Sequence, residues 1–291
     1  MKDVSVNMTA KITPKETSYA YGEAYQRQQV TKHRERRTNH WQKRIALAHR
    51  MVDEWVLPRF EGRPPSSITV IDVGCSIGTM AIEFALRGFR TRGVDFDGSA
   101  LVIARELCRE EQVAVEFYQC DVADLQKTSG EMVDVALCFD IFEHLHDDEL
   151  GAMLQAIRRQ MNPQGSLVFY SFPLQFDYLF FSRDFLNWPL VPFRWLSPKR
   201  FQSITRAYAS LLDAGLLLTT GQSYAERIKK QAHCNPTTPA RLQNILTRAG
   251  YDVACLETTD IYSFKPSVRK RFARQPIVDR QVFGVAYKRA N

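Results

Sequence analysis

A chain of 291 residues has room for one large α/β domain or two small ones. Its apolar share, 45%, is that of an ordinary globular protein. No run of about eighteen apolar residues offers a membrane-spanning helix, and residues 1–30 lack the apolar core of a secretory signal. The net charge of +7 favours acidic partners such as phosphates, carboxylates, anionic lipid or RNA. Six cysteines without a C-x-x-C pair point to a reduced, cytoplasmic compartment, with neither a disulfide frame nor a zinc site.

Residues 1–30 read as loose at the start. Basic residues cluster at Lys32–Arg37, Arg227–Lys230 and Lys265–Arg274, each read as a solvated helix face, since no RNA-binding module accompanies the charge. From Trp41 the apolar positions Ile45, Ala48, Val52, Trp55 and Val56 fall at helical spacing, and Pro58 is expected to stop that helix. Arg63–Ser67 connects it to Ile68–Val73, an apolar strand carrying Asp72 near its end. The strand runs into Gly74-Cys75-Ser76-Ile77-Gly78 and then a helix.

The glycine spacing narrows the ligand. A dinucleotide fold places glycines at the first, third and sixth positions of this turn. Counted from Gly74, those positions hold Gly74, Ser76 and Thr79, so two of the three fail. No G-x-x-x-x-G-K-[ST] phosphate loop exists either. A turn without a pyrophosphate grip suits a cofactor without a pyrophosphate.

Further strands follow at βα intervals. Arg90–Asp95 ends in Gly93-Val94-Asp95-Phe96-Asp97, with Asp95 about twenty residues past the turn, where a carboxylate can accept ribose hydroxyls. Ser99 is read as the cap of a helix over Ala100–Cys108. Ala114–Gln119 precedes Cys120-Asp121-Val122, and Asp134–Phe139 leads into Asp140-Ile141-Phe142-Glu143-His144-Leu145. His146, Asp147 and Asp148 read as a surface turn and cap. Asn162–Gly165 reads as a turn before a strand over Ser166–Phe172. Thr238 and Pro239 suit a helix start, Arg241–Ala249 a helix ended by Gly250, and Asp252–Glu257 and Val282–Tyr287 the last two strands.

These segments, in this order, resemble the class I S-adenosylmethionine-dependent methyltransferases. The resemblance covers Ile68–Phe172 and, less closely, His233–Tyr287. It implies a doubly wound, Rossmann-like, seven-stranded α/β sheet, mostly parallel with an antiparallel last strand. It also implies that S-adenosylmethionine is held by Asp72, Gly74, Cys75, Ser76, Gly78, Asp95, Phe96, Asp121, Val122 and Phe139. Asp121 would accept from the adenine amino group while its neighbour packs the ring. Asp134–Leu145 is similar to the E-x-x-E-H segment of the ubiquinone-type O-methyltransferases, with Asp140 in place of the first glutamate. There the carboxylates and histidine lie beside the acceptor and can hold a divalent ion; no metal is expected here, and the shorter Asp140 departs from the pattern. Asp140, Glu143 and His144 are the catalytic candidates. Two readings stay open for them: Glu143 and His144 as braces of the loop, or His144 as acceptor contact and base.

Pro173–Lys230 interrupts the α/β alternation with closely spaced aromatics, interleaved arginines and prolines at 189, 192 and 198 that break it into short pieces. The domain division is thus an N-terminal helical segment over 1–60 and a catalytic domain over 61–291 with an inserted lid over about 173–230. The lid reads as an acceptor pocket, with Phe176, Tyr178, Trp188, Arg194 and Trp195 as substrate contacts; a packing subdomain or oligomer interface is the other reading. His233 is read either as facing that pocket or as a satisfied loop histidine. The expected function is methyl transfer to a small-molecule or lipid-like acceptor, acidic or aromatic, plausibly on oxygen. The rivals are a tRNA methyltransferase and a fold relative that binds the cofactor without methylating. Nucleic acid is not the expected partner, and a homo-oligomer is left open.

Overall fold

Seven strands pair in the order β3-β2-β1-β4-β5-β7-β6. They are β1 (Thr69–Val73), β2 (Arg90–Asp95), β3 (Val115–Gln119), β4 (Val133–Phe139), β5 (Met161–Ser171), β6 (Tyr251–Thr259) and β7 (Gln281–Lys288). The first five run parallel, and β7 is antiparallel to both β5 and β6. This is a computed structural model, and the residues it describes are 22–38, 40–125, 128, 130–172, 184–223, 234–235, 237–259 and 281–290. The strand order reverses between β1 and β4, so the ligand crevice of an open α/β sheet lies at their carboxyl ends.

Helices cover both faces because the central strands are apolar on both sides. The helices are α1 (Glu23–Arg34), α2 (Trp41–Met51), α3 (Thr79–Leu86), α4 (Gly98–Glu111), α5 (Asp147–Gln160), α6 (Pro198–Thr220) and α7 (Pro239–Arg248). Along β4, Ala136 and Cys138 pack with Met153, Leu154 and Ile157 of α5 and Leu242 and Leu246 of α7. The alternating Val135, Leu137 and Phe139 pack with Ile45, Ala48 and Met51 of α2 and Met80 and Phe84 of α3. Ile82 of α3 and Leu107 of α4 belong to a smaller cluster with Ile77.

The chain departs from the sequence reading at several points. Glu23–Arg34 is helical, not loose. The helix from Trp41 becomes a π turn over Val52–Val56 and a 3-10 turn over Leu57–Phe60, so Pro58 lies inside the helical run instead of ending it. Asp97, not Ser99, caps α4: its carboxylate accepts from the backbone N–H groups of Ser99 and Ala100 at 2.9 and 3.3 Å. Strand β5 begins at Met161, and Asn162–Gly165 is absorbed as an irregularity: Val133 pairs with Met161 but Val135 with Ser166. The cap read at His146–Asp148 is present: His146 is the N-cap of α5, in a capping box with Glu149.

The inserted segment is also more regular than its prolines imply. Asp184–Phe193 is a 3-10 run, and Pro198 opens a 23-residue helix, the first-turn position where its missing N–H costs nothing. Leu190, Phe201 and Ala209 form a cluster that joins these two elements.

Candidate active site

The turn after β1 is built from alternating left-handed residues. Gly74, Ser76 and Gly78 have φ of 74°, 49° and 78°. The N–H groups of Gly74 and Cys75 both donate to Val94 O, at 2.8 and 2.9 Å, tying the turn to β2. Gly78 caps α3, and a Cβ there would lie 2.9 Å from Phe117 Cζ and 3.2 Å from Ala104 Cβ. A Cβ on Gly74 would overlap Ile141 Cδ1. The two glycines thus let the turn pack closely against Ile141, Phe117 and Ala104. Ser76 takes a left-handed conformation uncommon outside glycine, the kind of strain that collects at functional sites.

Asp95, 7% exposed at the end of β2, holds this strain in place. Its Oδ2 accepts from Ser76 N at 2.7 Å and its Oδ1 from Asp97 N at 2.9 Å. Burial raises the carboxyl above its usual range, against the pull of those N–H donors. Asp72 is buried in β1 and accepts from Ala81 N at 3.1 Å, bracing α3 on the strand. Burial lifts its pKa to about 7, and Asp95 adds to the rise. Cys75 is buried, and burial pushes its thiol well above the ordinary value.

Phe96 is exposed at the crevice rim. Asp121 is exposed after β3 and accepts from Ala123 N at 2.8 Å, while Val122 is buried in the core. The Phe139 ring is also in the core, stacked on Tyr170 at 5.8 Å between centroids.

After β4 the chain turns sharply. Asp140 is left-handed at φ 53°, its N–H donating to Tyr170 O at 3.1 Å. Phe142–His144 form one 3-10 turn, so Asp140 stands outside the helical turn expected to carry all three polar groups. Glu143 is 1% exposed and accepts from Ser171 Oγ at 3.0 Å, while its carbonyl accepts from Asn235 N at 2.9 Å. Burial drives its carboxyl well above the ordinary value, and the nearby Asp140 raises it further. His144 is half-buried beside Asp140. Burial lifts the Asp140 carboxyl too, opposed by Arg44 and His144.

The N-terminal helices bring residues that the sequence reading did not select. Arg44 of α2 is ion-paired with Asp140. Gln26 of α1 donates to Asp97 Oδ2 at 3.2 Å and to Ser99 Oγ at 2.6 Å. The Tyr25 hydroxyl is raised by burial and then by Asp140 and Asp95, which puts it in the field of both carboxylates across the crevice. Helix α1 and the turn after it are fastened to α3 and α4. His33 is hydrogen-bonded to Thr79 Oγ1 at 3.1 Å, and Arg36 pairs with Glu83 at 2.5 Å and Glu111 at 2.8 Å. Arg34 and Arg37 of the Lys32–Arg37 cluster are exposed, but His33 and Arg36 are buried, so the cluster is a solvated face only in part. No short motif marks these residues, because their partners lie from 46 to 96 positions away.

Of the expected acceptor contacts, Phe176, Tyr178 and His233 lie outside the described residues, as do the other two basic clusters. Trp188 and Trp195 are 63% and 81% exposed, and the Arg194 guanidinium sits 4.8 Å from the Trp195 ring centroid. Among the described residues no group of three or more His, Cys, Asp or Glu is arranged to hold a metal ion, and no helix is long and apolar enough to cross a membrane.

A glycine turn after β1, a carboxylate after β2 and a polar segment after β4, all at one switch point, define the crevice of the class I methyltransferase fold. Comparison with known proteins agrees. Residues 70–165 match the methyltransferase domain family. A ubiquinone biosynthesis O-methyltransferase from Pseudomonas syringae pv. tomato is 33% identical over 100 residues, 34% of this chain and 42% of the relative. The chain therefore spans less than half the length of the curated relatives it matches. The crystal structure of magnesium protoporphyrin IX methyltransferase from Synechocystis PCC 6803 with bound SAM aligns at a TM-score of 0.51 and 17% identity, over 96% of this chain and 99% of that one. Geranyl diphosphate C-methyltransferase from Streptomyces coelicolor A3(2) aligns at 0.50 and 13%, over 84% and 75%. At these identities the structures establish the fold. Residues 70–165 are thus similar to a methyltransferase domain, in a chain that has the fold of the solved methyltransferases.

Proposed function

We propose that the protein transfers a methyl group from S-adenosylmethionine to an oxygen of a small molecule. The observation that carries this is the crevice wall made by Gly74, Ser76 and Gly78 with Asp95 behind it. The residues present fit the group: glycine at 74 and 78 lets the turn pack back against Ile141 and Phe117, and the Asp95 carboxylate beside it supplies acceptor oxygens. Asp95 would hold the ribose, Asp121 and Phe96 the adenine, and the backbone of Cys75 and Ser76 the amino-acid end.

When bound, the cofactor supplies a methyl group already activated by a sulfonium. The protein's task is then to place an acceptor oxygen in line and take its proton. Positioning of this kind is worth roughly 7–11 kcal/mol in favourable systems. His144, half-buried beside Asp140, would accept the proton, a contribution of about 10²–10⁴-fold. Glu143 braces the loop through Ser171 and Asn235. The segment 184–223 and the N-terminal helices would exclude water and shape the acceptor space. The ubiquinone-type relative supports an aromatic, oxygen-bearing acceptor. The burial of His33 and Arg36 removes part of the basic surface that motivated the RNA reading.

Isothermal titration with S-adenosylhomocysteine tests the first half of this reading, and release of S-adenosylhomocysteine in the presence of phenolic acids tests the second. Absence of binding at high micromolar concentration would remove the proposal. Binding without turnover on any oxygen acceptor would favour the non-methylating reading.

A further inference from the structure

The segment Asp140–His144 resembles a carboxylate and imidazole set that can hold a divalent ion. The residues present do not fit one. Arg44, carried on α2, is ion-paired through Nη1 to Asp140 Oδ2. Its side chain is only 12% exposed. The guanidinium is flanked by two aromatic rings, 5.2 Å from the Trp41 centroid and 5.0 Å from that of Tyr170. The left-handed turn at Asp140, fastened by its N–H to Tyr170 O, belongs to the same arrangement. Glu143, the second carboxylate of the set, is spent on Ser171 in a buried pocket. Hard divalent cations need several oxygens converging at about 2.0–2.6 Å. Here one oxygen donor already serves a cation and the other is engaged elsewhere.

We propose that Arg44 is the resident cation of the acceptor site, standing where a divalent ion would stand, and that this site works without a metal. The inference rests on the methyltransferase reading for its purpose but not for its test. A guanidinium is charged at every working pH, and its planar face suits the aromatic flanks. It offsets the Asp140 carboxylate and leaves positive potential beside an acceptor oxygen that must become nucleophilic. Lys32 acts on Asp140 in the same sense, so an entering dication would meet two fixed positive charges. Arg44 is thus a positioning residue that acts on the acceptor site through Asp140.

The test is Mn²⁺ titration of the full chain, read by the electron paramagnetic resonance signal of free Mn²⁺. S-adenosylhomocysteine affinity is measured by calorimetry on the same preparations. Wild-type protein is expected to bind Mn²⁺ no tighter than about 1 mM. Arg44→Met uncovers Asp140 and is expected to bind Mn²⁺ at least about tenfold more tightly, a gain that a second change, Asp140→Asn, removes. Arg44→Lys keeps the charge and should behave as wild type. Unaltered S-adenosylhomocysteine affinity in each variant shows that the fold is intact. Wild-type Mn²⁺ binding at about 10 μM that Asp140→Asn abolishes would overturn the proposal. So would an Arg44→Met variant that binds Mn²⁺ no better than wild type. Failure of wild-type protein to bind S-adenosylhomocysteine would instead strike the methyltransferase reading, leaving the Mn²⁺ result to stand by itself.

Discussion

Replacing Asp95 by alanine separates the bracing that the carboxylate provides in the structure from the ribose contact proposed for it. In the structure it accepts from Ser76 N at 2.7 Å and Asp97 N at 2.9 Å, and it is 7% exposed. Alanine leaves both donors without that acceptor, at about 1–3 kcal/mol for each that stays unsatisfied. Water entering the space left by the carboxylate would offset part of this, so a loss of about 2–4 kcal/mol of stability is expected. The ribose loses more directly. Hydrogen bonds to a charged acceptor contribute about 1.5–3 kcal/mol each, so losing even one or two weakens S-adenosylhomocysteine by about 100-fold. Asp95→Asn keeps one oxygen but turns an amide N–H₂ toward a backbone donor, and should fall between. Urea unfolding gives the stability term and calorimetry the affinity. A folded Asp95→Ala protein that binds S-adenosylhomocysteine within about threefold of wild type would refute the ribose assignment, whatever happened to its stability.

Three further outcomes are expected. His33 is held neutral, its pKa pushed down from 6.5 to about 4 by burial and then by Arg36. The unfolded chain therefore binds more protons between those values. Stability from this site is complete above pH 6.5 and is lost as pH falls towards 4, by up to about 3 kcal/mol. His33→Asn should flatten that slope in urea melts at pH 7.5 and 5, and an unchanged slope would count against the reading. Glu83→Gln strips the buried Arg36 of one of two carboxylate partners and should cost about 3 kcal/mol in urea unfolding; a change under about 1 kcal/mol would mean that Glu111 suffices. Gly78→Ala and Gly88→Ala both place a side chain at positive φ, for about 1–2 kcal/mol, but only Gly78 has neighbours within 4 Å. The Gly78 change should lower the melting temperature further and weaken S-adenosylhomocysteine, while the Gly88 change leaves affinity alone.

The parts legible in the sequence are those whose backbone demands a residue type. Positive φ after β1 asks for glycine, so Gly74 and Gly78 announced the turn. A carboxylate after β2 serves nearby N–H groups, so Asp95 was readable at fixed spacing. Ser76 hid its left-handed conformation because serine does not advertise one. Helix α6 was obscured by prolines, which mark the start of a helix as well as a break. The long-range pairs were beyond reach for a different reason. His33 and Arg36 look like surface charge until Thr79, Glu83 and Glu111 are folded against them. Arg44 meets Asp140 across 96 positions, with no local pattern linking the two. The tertiary fold brings these pairs together from sequence neighbourhoods that say nothing about them.

The position of β7 has its own consequence. It is later in the chain than β6 yet lies between β6 and β5, hydrogen-bonded to both over eight and six residue pairs. While the chain emerges from a ribosome, β5 shows an open, apolar hydrogen-bonding rim, and β6 has no neighbour to join. Both wait for the same late segment. Newly made chains would therefore carry a sticky border until β7 is made, the kind of border that invites association with other nascent chains. Slow translation of Gln281–Lys288, or a stop codon before residue 281, should show up first as aggregation and only secondarily as lost chemistry.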